Sequence, residues 1–338
     1  MRTPRVDLLA PPGFTDRPSG GNLYDRHLRD GLIALGWAVT THEVGPGDEL
    51  PVVPGGRLVL ADSLVTSWAA DALLASGSAV VPLVHMRFGT PGERELLASA
   101  PAVVTTSAWT RRTVLADRAV DPRRVHVAEP GVVRPRVSPR VSPRVSPRAG
   151  EATELLCVAG LVPAKGQDVL VQALAGLTDL EWHCTLVGAG EREPDFTDDL
   201  RKAVADAGIT DRVLFAGELT GAALGAAYAG SDLLVLPTRT ESYGMVVTEA
   251  LAHGLPVVAS AVGGVPEALG EVDGAHPGML VRPGDPEALA VALRRWLEDP
   301  VLRRWLRTTA RRRLAGLPRW EATAAHVAGA LRAAQEVS

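Results

Sequence analysis

Lysine is almost absent from this chain. Of its 35 basic residues other than histidine, only Lys165 and Lys202 are lysines, and the other 33 are arginines. Guanidinium groups serve nearly everywhere that a surface cation is wanted, so a retained ammonium draws attention to its site. Cysteine is as rare. Cys157 and Cys184 are the only two, and each lies in an apolar run with core-strand character. That pattern excludes a disulfide framework and a thiolate zinc site, and it reads as two small buried hydrophobes in a reducing, cytoplasmic setting. No uninterrupted apolar run reaches eighteen residues, so no helical membrane span is expected. Met1-Arg-Thr-Pro-Arg-Val-Asp7 leads straight into a short apolar run and reads as a first strand, not as a secretory leader. A dominant charge of one sign is lacking too, since the net charge is −4. Residues 1–150 carry 18 Arg against 14 acids, and five of those arginines fall in one proline-rich repeat. Without them that half is near neutral, which excludes a nucleic-acid footprint and a strong anionic-lipid patch.

What is present is an ordinary globular composition, 46% hydrophobic and 22% charged, over 338 residues, a length that suits two domains. Strand-like runs at 6–10, 37–44, 58–60, 80–84, 102–105 and 125–128 alternate with helical ones, among them 22–35 and 107–116. A second series begins at 155–159 and continues at 182–187, 213–216, 233–236, 257–260 and 279–281. Helical spacing fills 168–174, 196–207, 222–229 and 246–252, and three helical segments close the chain at 286–297, 300–314 and 320–334. Such alternation predicts two α/β domains, each with a doubly wound parallel sheet. Between them, residues 134–148 repeat Arg-Val-Ser-Pro, and proline at every fourth position predicts an extended linker. The expected division is 1–133, a linker at 134–150, a second domain at 151–318, and a final helical segment at 319–338.

The most informative stretch is Glu241-Ser-Tyr-Gly-Met-Val-Val-Thr-Glu249. Before it, Asp232-Leu-Leu-Val-Leu-Pro237 reads as a buried parallel strand ended by proline. After Gly244 the apolar spacing is helical and breaks at Gly254. Glu241 therefore sits in the loop after a strand, and Glu249 just over one turn inside the following helix. Ligands of open α/β sheets bind at this edge. The amides of Tyr243, Gly244 and Met245 fall at the helix start, where backbone donors suit a phosphate. Lys165 follows another strand, in Leu161-Val-Pro-Ala-Lys165-Gly166, where a compact ammonium acts as a point charge on a phosphate. Gly20 and Gly21 open a helix after the first strand. His85 ends the strand-like Val80-Val-Pro-Leu-Val-His85 and is followed by Met86 and Arg87. Gly188-Ala-Gly190 is half of a dinucleotide fingerprint with Glu193 in place of the third glycine, so it reads as a turn and not as an NAD site. His183 and His253 read as structural.

The two glutamates eight positions apart, with Gly263-Gly264-Val265-Pro266-Glu267 downstream, resemble the E-x7-E motif of retaining glycosyltransferases of family 4. The resemblance covers residues 150–338 densely and 1–133 thinly. It implies the GT-B fold, in which two Rossmann-like domains face an interdomain cleft and the last helix crosses back to the first domain; Trp320 fits an anchor there and fits plain core equally. It also implies transfer of a hexose from a nucleotide-diphosphate sugar to an acceptor hydroxyl, with retention at the anomeric carbon. In that family's proposed front-side mechanism the leaving phosphate accepts the incoming hydroxyl's proton, which fits a chain in which no general base stands out. By resemblance, Lys165 stabilises the leaving phosphate, Glu241 holds the sugar, Glu249 holds the ribose, and Tyr243, Gly244 and Met245 bind sugar and phosphate through amides. Gly188, Gly217 and Leu219 line the nucleotide, Gly20 and Gly21 pack near the donor phosphate and acceptor, His85 lies beside the donor sugar, and Arg87 contacts acceptor or phosphate.

The chain also departs from the family pattern. An arginine expected five positions before the lysine is Gly160, and a frequent substitute just before it is Ala164. Arg239 is the sequence's candidate replacement. D-x-D occurs nowhere, so no metal and no cofactor beyond the donor sugar is expected. Three rivals stand beside this reading: an epimerase or phosphorylase on the same fold, a degenerate nucleotide-sugar-binding module, and an NAD-dependent oxidoreductase. The last needs a complete glycine fingerprint followed by an acid about twenty residues on, and neither half shows one.

Overall fold

The computed structural model describes residues 3–17, 19–53, 57–134 and 153–337. The Arg-Val-Ser-Pro repeats and nearly all of the expected linker lie outside these residues. The first half runs β1 (Arg5–Ala10), α1 (Gly20–Ala34), β2 (Ala38–Glu43), β3 (Leu58–Asp62), α2 (Ser63–Ala75), β4 (Ala79–Val84), α3 (Pro91–Ser99), β5 (Val103–Thr105), α4 (Ala108–Leu115) and β6 (Val125–Val127). The second runs β7 (Thr153–Val158), α5 (Gln167–Ala175), β8 (Trp182–Val187), α6 (Pro194–Asp206), β9 (Val213–Gly217), α7 (Gly221–Gly230), β10 (Leu233–Leu236), α8 (Met245–Ala252), β11 (Val257–Ser260), α9 (Val265–Leu269) and β12 (Gly278–Val281). Helices α10 (Pro286–Glu298), α11 (Pro300–Arg313) and α12 (Trp320–Val337) end the chain.

Two compact units result. Unit 1 takes Met1–Val132 together with Pro318–Ser338, and unit 2 takes Val133–Leu317. Each holds one six-stranded sheet, ordered β2-β1-β3-β4-β5-β6 in unit 1 and β12-β11-β10-β7-β8-β9 in unit 2. All pairings within the sheets are parallel. Strands covered by helices on both faces must be apolar on both, and β3 and β10 are accordingly buried at every position. In unit 2, Trp182 and Trp296 fill the core between sheet and helices, among Leu155, Leu170, Leu186 and Leu293. None of the helices among the described residues is long and apolar enough to cross a membrane.

Strand order reverses once in each sheet. In unit 1 the chain leaves β1 toward β2 on one side and later returns to β3 on the other, and in unit 2 the same happens between β10 and β7. The loops at the carboxyl ends of the two strands flanking such a point diverge to opposite faces and leave a crevice.

The last helix belongs to unit 1. Trp320 stacks on His27 at 4.4 Å and meets the ring of Tyr24 edge-on at 5.5 Å. The Tyr24 hydroxyl donates to the Ala128 carbonyl at 2.8 Å, and Thr323 donates to the Glu129 carbonyl at 2.6 Å. Glycine permits this seat. A Cβ at Gly31 would lie 2.5 Å from that of Ala324, and one at Gly131 would lie 2.2 Å from the Trp320 amide nitrogen. Replacing Trp320 by Ala removes a nearly buried aromatic and should lower stability by about 3 kcal/mol, read from the midpoint of denaturant unfolding. A midpoint equal to that of the parent would show that α12 docks without this anchor.

Candidate active site

In unit 2 three loops leave the carboxyl ends of neighbouring strands β7, β10 and β11, and backbone contacts stitch them together. The Arg239 amide donates to the Ala164 carbonyl at 2.8 Å, and the Thr238 hydroxyl donates to the same oxygen at 3.1 Å. The Gly264 amide donates to the Glu241 carbonyl at 3.1 Å. Only glycine allows the strands' loops to come so close. At Gly263, φ is +59° and a Cβ would sit 1.6 Å from the Glu241 carbonyl oxygen, and at Gly166, φ is +70° and it would sit 2.1 Å from that of Pro237.

This stitching brings two of the expected residues into contact across the switch point. Lys165, after β7, donates from Nζ to Glu241 Oε2, after β10, at 2.7 Å. The Glu241 carboxylate also accepts from the Ser242 amide through Oε1 at 3.1 Å. The Lys165 side chain is 31% exposed and that of Glu241 17%, so both side chains remain partly open to solvent. Glu249 lies in the second turn of α8. Its Oε2 accepts from the Tyr228 hydroxyl at 2.7 Å, and Tyr228 in turn stacks on His253 at 4.9 Å. Burial raises the Glu249 carboxyl above its ordinary value, against the pull of the Tyr228 hydrogen bond. Burial and then the Glu249 charge raise Tyr228 well above 10, so the phenol stays a donor. His253 Nδ1 lies 2.9 Å from the Glu249 carbonyl and donates to it, a structural role.

The start of α8 has Gly244 at its N-cap with φ +96° and no side-chain cap, which leaves its first turn without a capping side chain at Met245. Tyr243 is buried. Gly188 passes so close to β7 that a Cβ would lie 1.9 Å from the Ala159 carbonyl, and its amide donates to the Gly217 carbonyl at 2.8 Å. Gly217 ends β9, two strands away from β7, and Leu219 follows it half-buried.

Two arginines differ from expectation. Arg239 does not stand free as a phosphate contact. Its guanidinium forks onto Asp168 at 2.7 and 2.6 Å and reaches the Pro163 carbonyl at 2.6 Å. It thus ties the β10 loop to α5, 71 residues away in sequence. Arg87 donates to the Thr113 carbonyl at 3.2 Å, and its Nε lies 3.7 Å from Glu93. Both cations are committed to the scaffold. His183, expected to be structural, is half-exposed and pairs loosely with Glu154 at 3.3 Å. The two cysteines are buried thiols, and burial pushes Cys157 up to about 12.

Unit 1 has its own cluster at its switch point. His85, just past β4, places Nε2 2.9 Å from Asp25 Oδ1 of α1 and 3.2 Å from Asp62 Oδ2 at the end of β3. Asp62 also caps α2 by accepting from the Leu64 amide at 2.5 Å. Gly21 borders the ring, and a Cβ there would meet His85 Cδ2 at 3.7 Å. Gly20 begins α1, whose N-cap Ser19 accepts from the Asn22 amide at 3.0 Å. Sequence reading found His85 but neither aspartate. The signal was an acid ending the apolar run Leu58-Val-Leu-Ala-Asp62, one strand over from a histidine doing the same.

The model of the family described as glycosyl transferases group 1 matches residues 140–313. A D-inositol 3-phosphate glycosyltransferase of Kineococcus radiotolerans is 32% identical over 273 residues, 75% of this chain and 61% of the relative. One of Geodermatophilus obscurus is 34% identical over 258 residues, 72% of this chain and 55% of the relative. The chain thus spans between 55% and 61% of these curated relatives' length. Among solved structures, Anabaena HepE in complex with UDP-glucose superposes with a TM-score of 0.80 at 20% identity, covering 97% of this chain and 99% of that one. That likeness is one of fold, the GT-B type with two parallel α/β sheets.

Because Gly263 lets two loops meet, Gly263→Ala should lower stability by about 2 kcal/mol or more through the added clash and positive φ. Denaturant unfolding measures it, and an unchanged midpoint would mean that the loop relaxes without strain.

Proposed function

We propose that this chain, which belongs to the glycosyl transferases of group 1, moves a hexose from a nucleotide-diphosphate sugar to an acceptor hydroxyl. The observation that carries the reading is the Lys165–Glu241 contact across the unit 2 switch point, with Glu249 one turn into the adjoining helix. A diphosphate leaving group needs a cation where its charge develops, and the ammonium supplies one. The carboxylate released from that cation accepts from sugar hydroxyls. Glu249, oriented by Tyr228 through one oxygen, keeps its other oxygen for the ribose. The uncapped start of α8 offers amides to sugar or phosphate.

The step balances without a side-chain base. The acceptor oxygen forms the new bond to the anomeric carbon, the bond from that carbon to the phosphate oxygen breaks, and the hydroxyl proton passes to the departing phosphate on the same face. Retention follows. Lys165 and its Glu241 partner then belong to the donor side, and no metal is required in this scheme. The curated relatives' name points to a phosphorylated cyclitol as one acceptor worth testing, and the HepE complex points to a uridine donor. A weakly catalytic nucleotide-sugar-binding protein is the second reading. It is favoured by Gly160 and Ala164 where cations are usual, and by the commitment of Arg239 to Asp168.

Thermal denaturation with UDP, GDP, ADP and their hexose conjugates should show one base raising the melting temperature, since a ligand of the native state stabilises it. With that donor, Lys165→Ala should lower kcat by about 10²- to 10³-fold, in line with loss of one charge-stabilising group. Glu241→Ala should depress kcat, while Glu249→Ala should raise the donor KM more than it lowers kcat. Parental turnover by the Lys165 variant would remove the ammonium from the chemistry. Tight donor binding with no transfer to any hydroxyl, inositol phosphates included, would favour the second reading.

A further inference from the structure

The transfer chemistry assigned to unit 2 leaves the His85 cluster of unit 1 without a defined task. Asp25 is wholly buried and Asp62 nearly so, yet both carboxylates converge on one imidazole nitrogen. Among the described residues, the second oxygen of Asp25 has no hydrogen-bond partner. Two carboxylates in so dry a place need a cation, because an unpaired buried charge is strongly destabilising. The imidazole supplies it.

We propose that Asp25 and Asp62 are positioning residues that hold His85 as an imidazolium, so that its Nδ1–H is a fixed hydrogen-bond donor to a phosphate or hydroxyl oxygen of substrate at the unit 1 switch point. This deepens the transferase reading and rests on it for the identity of the substrate. A neutral ring with its proton on Nε2 would satisfy one aspartate equally well but would present Nδ1 as an acceptor. The second carboxylate decides between the two forms.

The surroundings support the charged form. From α1, Tyr24 meets the ring edge-on at 5.0 Å and sends its hydroxyl to Ala128, and burial keeps that phenol neutral. Ser63, at the start of α2, accepts from the His85 amide. Arg87, the nearest cation in sequence, is turned toward Thr113 and Glu93. Trp320 of α12 backs Tyr24 and brings no charge. Burial alone would pull the His85 value down, but the Asp25 charge, reinforced by hydrogen bonds to both aspartates, pushes it up to about 10. Burial raises Asp25 to about 7, against the His85 charge and helped by that of Asp62. Among the described residues no hydrogen bond occupies Nδ1, and the side chain is 16% exposed, so a donor face is left for a ligand.

Nuclear magnetic resonance of the imidazole nitrogens in the whole chain tests this directly, with His85→Gln to assign the signal. One histidine should stay doubly protonated to about pH 9, where an ordinary histidine has long since lost its proton. In Asp25→Asn, and separately in Asp62→Asn, the proton affinity of that ring should fall by at least tenfold. The kinetic counterpart is a pH profile. Parental kcat/KM should show no decline from His85 between about pH 6 and 8.5, whereas Asp25→Asn should lose at least about tenfold more activity at pH 8 than at pH 6. A parental ring that is neutral at pH 7.5 overturns the proposal, and so does a loss in Asp25→Asn that is equal at every pH. Absence of transfer by the parental enzyme would defeat the transferase reading alone, because the titration of His85 would still report the state of the ring.

Discussion

The close approach of strand-end loops at a reversal of strand order is the constraint from which the rest of unit 2 follows. Parallel strands leave their connections on one edge of the sheet, and only where the order reverses do adjacent loops part. Lys165 and Glu241 sit in the loops that follow the two strands flanking this point. Gly166 removes a Cβ that would hold the β7 loop off the end of β10, and Gly263 removes one that would hold the β11 loop off Glu241. Arg239 and Asp168 then tie the β10 loop to helix α5 outside the contact. Unit 1 obeys the same rule with different residues, placing Asp25, Asp62 and His85 around its own reversal.

Much of the scaffold was legible in the sequence, for a physical reason. Strands of a helix-covered parallel sheet must be apolar on both faces, so runs such as Leu233–Leu236 and Val257–Ser260 stand out without periodicity. Helices with one wet face, such as α6 and α10, announce themselves by spacing. Helix α2 does not, because Ser63–Ala75 is apolar around most of its circumference and follows β3 with no intervening turn. Helix α9 is five residues long, too short for any period to register. The start of α1 at Gly20, and not two residues later, depends on Ser19 as a cap, which glycines after it obscured.

The site was legible where its residues lie close in sequence and hidden where they do not. Glu241 and Glu249 share one loop and helix, and Lys165 stands out by its rarity. Pairings between distant segments left no local trace. Asp168 lies 71 residues from Arg239, and Asp25 lies 60 from His85. An arginine read alone looks available for a phosphate, and a histidine read alone looks equally suited to give or take a proton. Tyr228 escaped notice for the same reason, being 21 residues from the carboxylate that it orients.

On the proposed reading, the Lys165–Glu241 pair also bears on which ligands the site favours. With the ammonium already neutralised, a small inorganic anion that captured it would strand a half-buried carboxylate with nothing to replace its counterion. A molecule that offers an anionic group to the lysine and hydroxyls to the glutamate in the same visit satisfies both partners at once. In the proposed scheme a lone inorganic anion therefore gains less from the lysine than a compound that carries both chemistries on one skeleton.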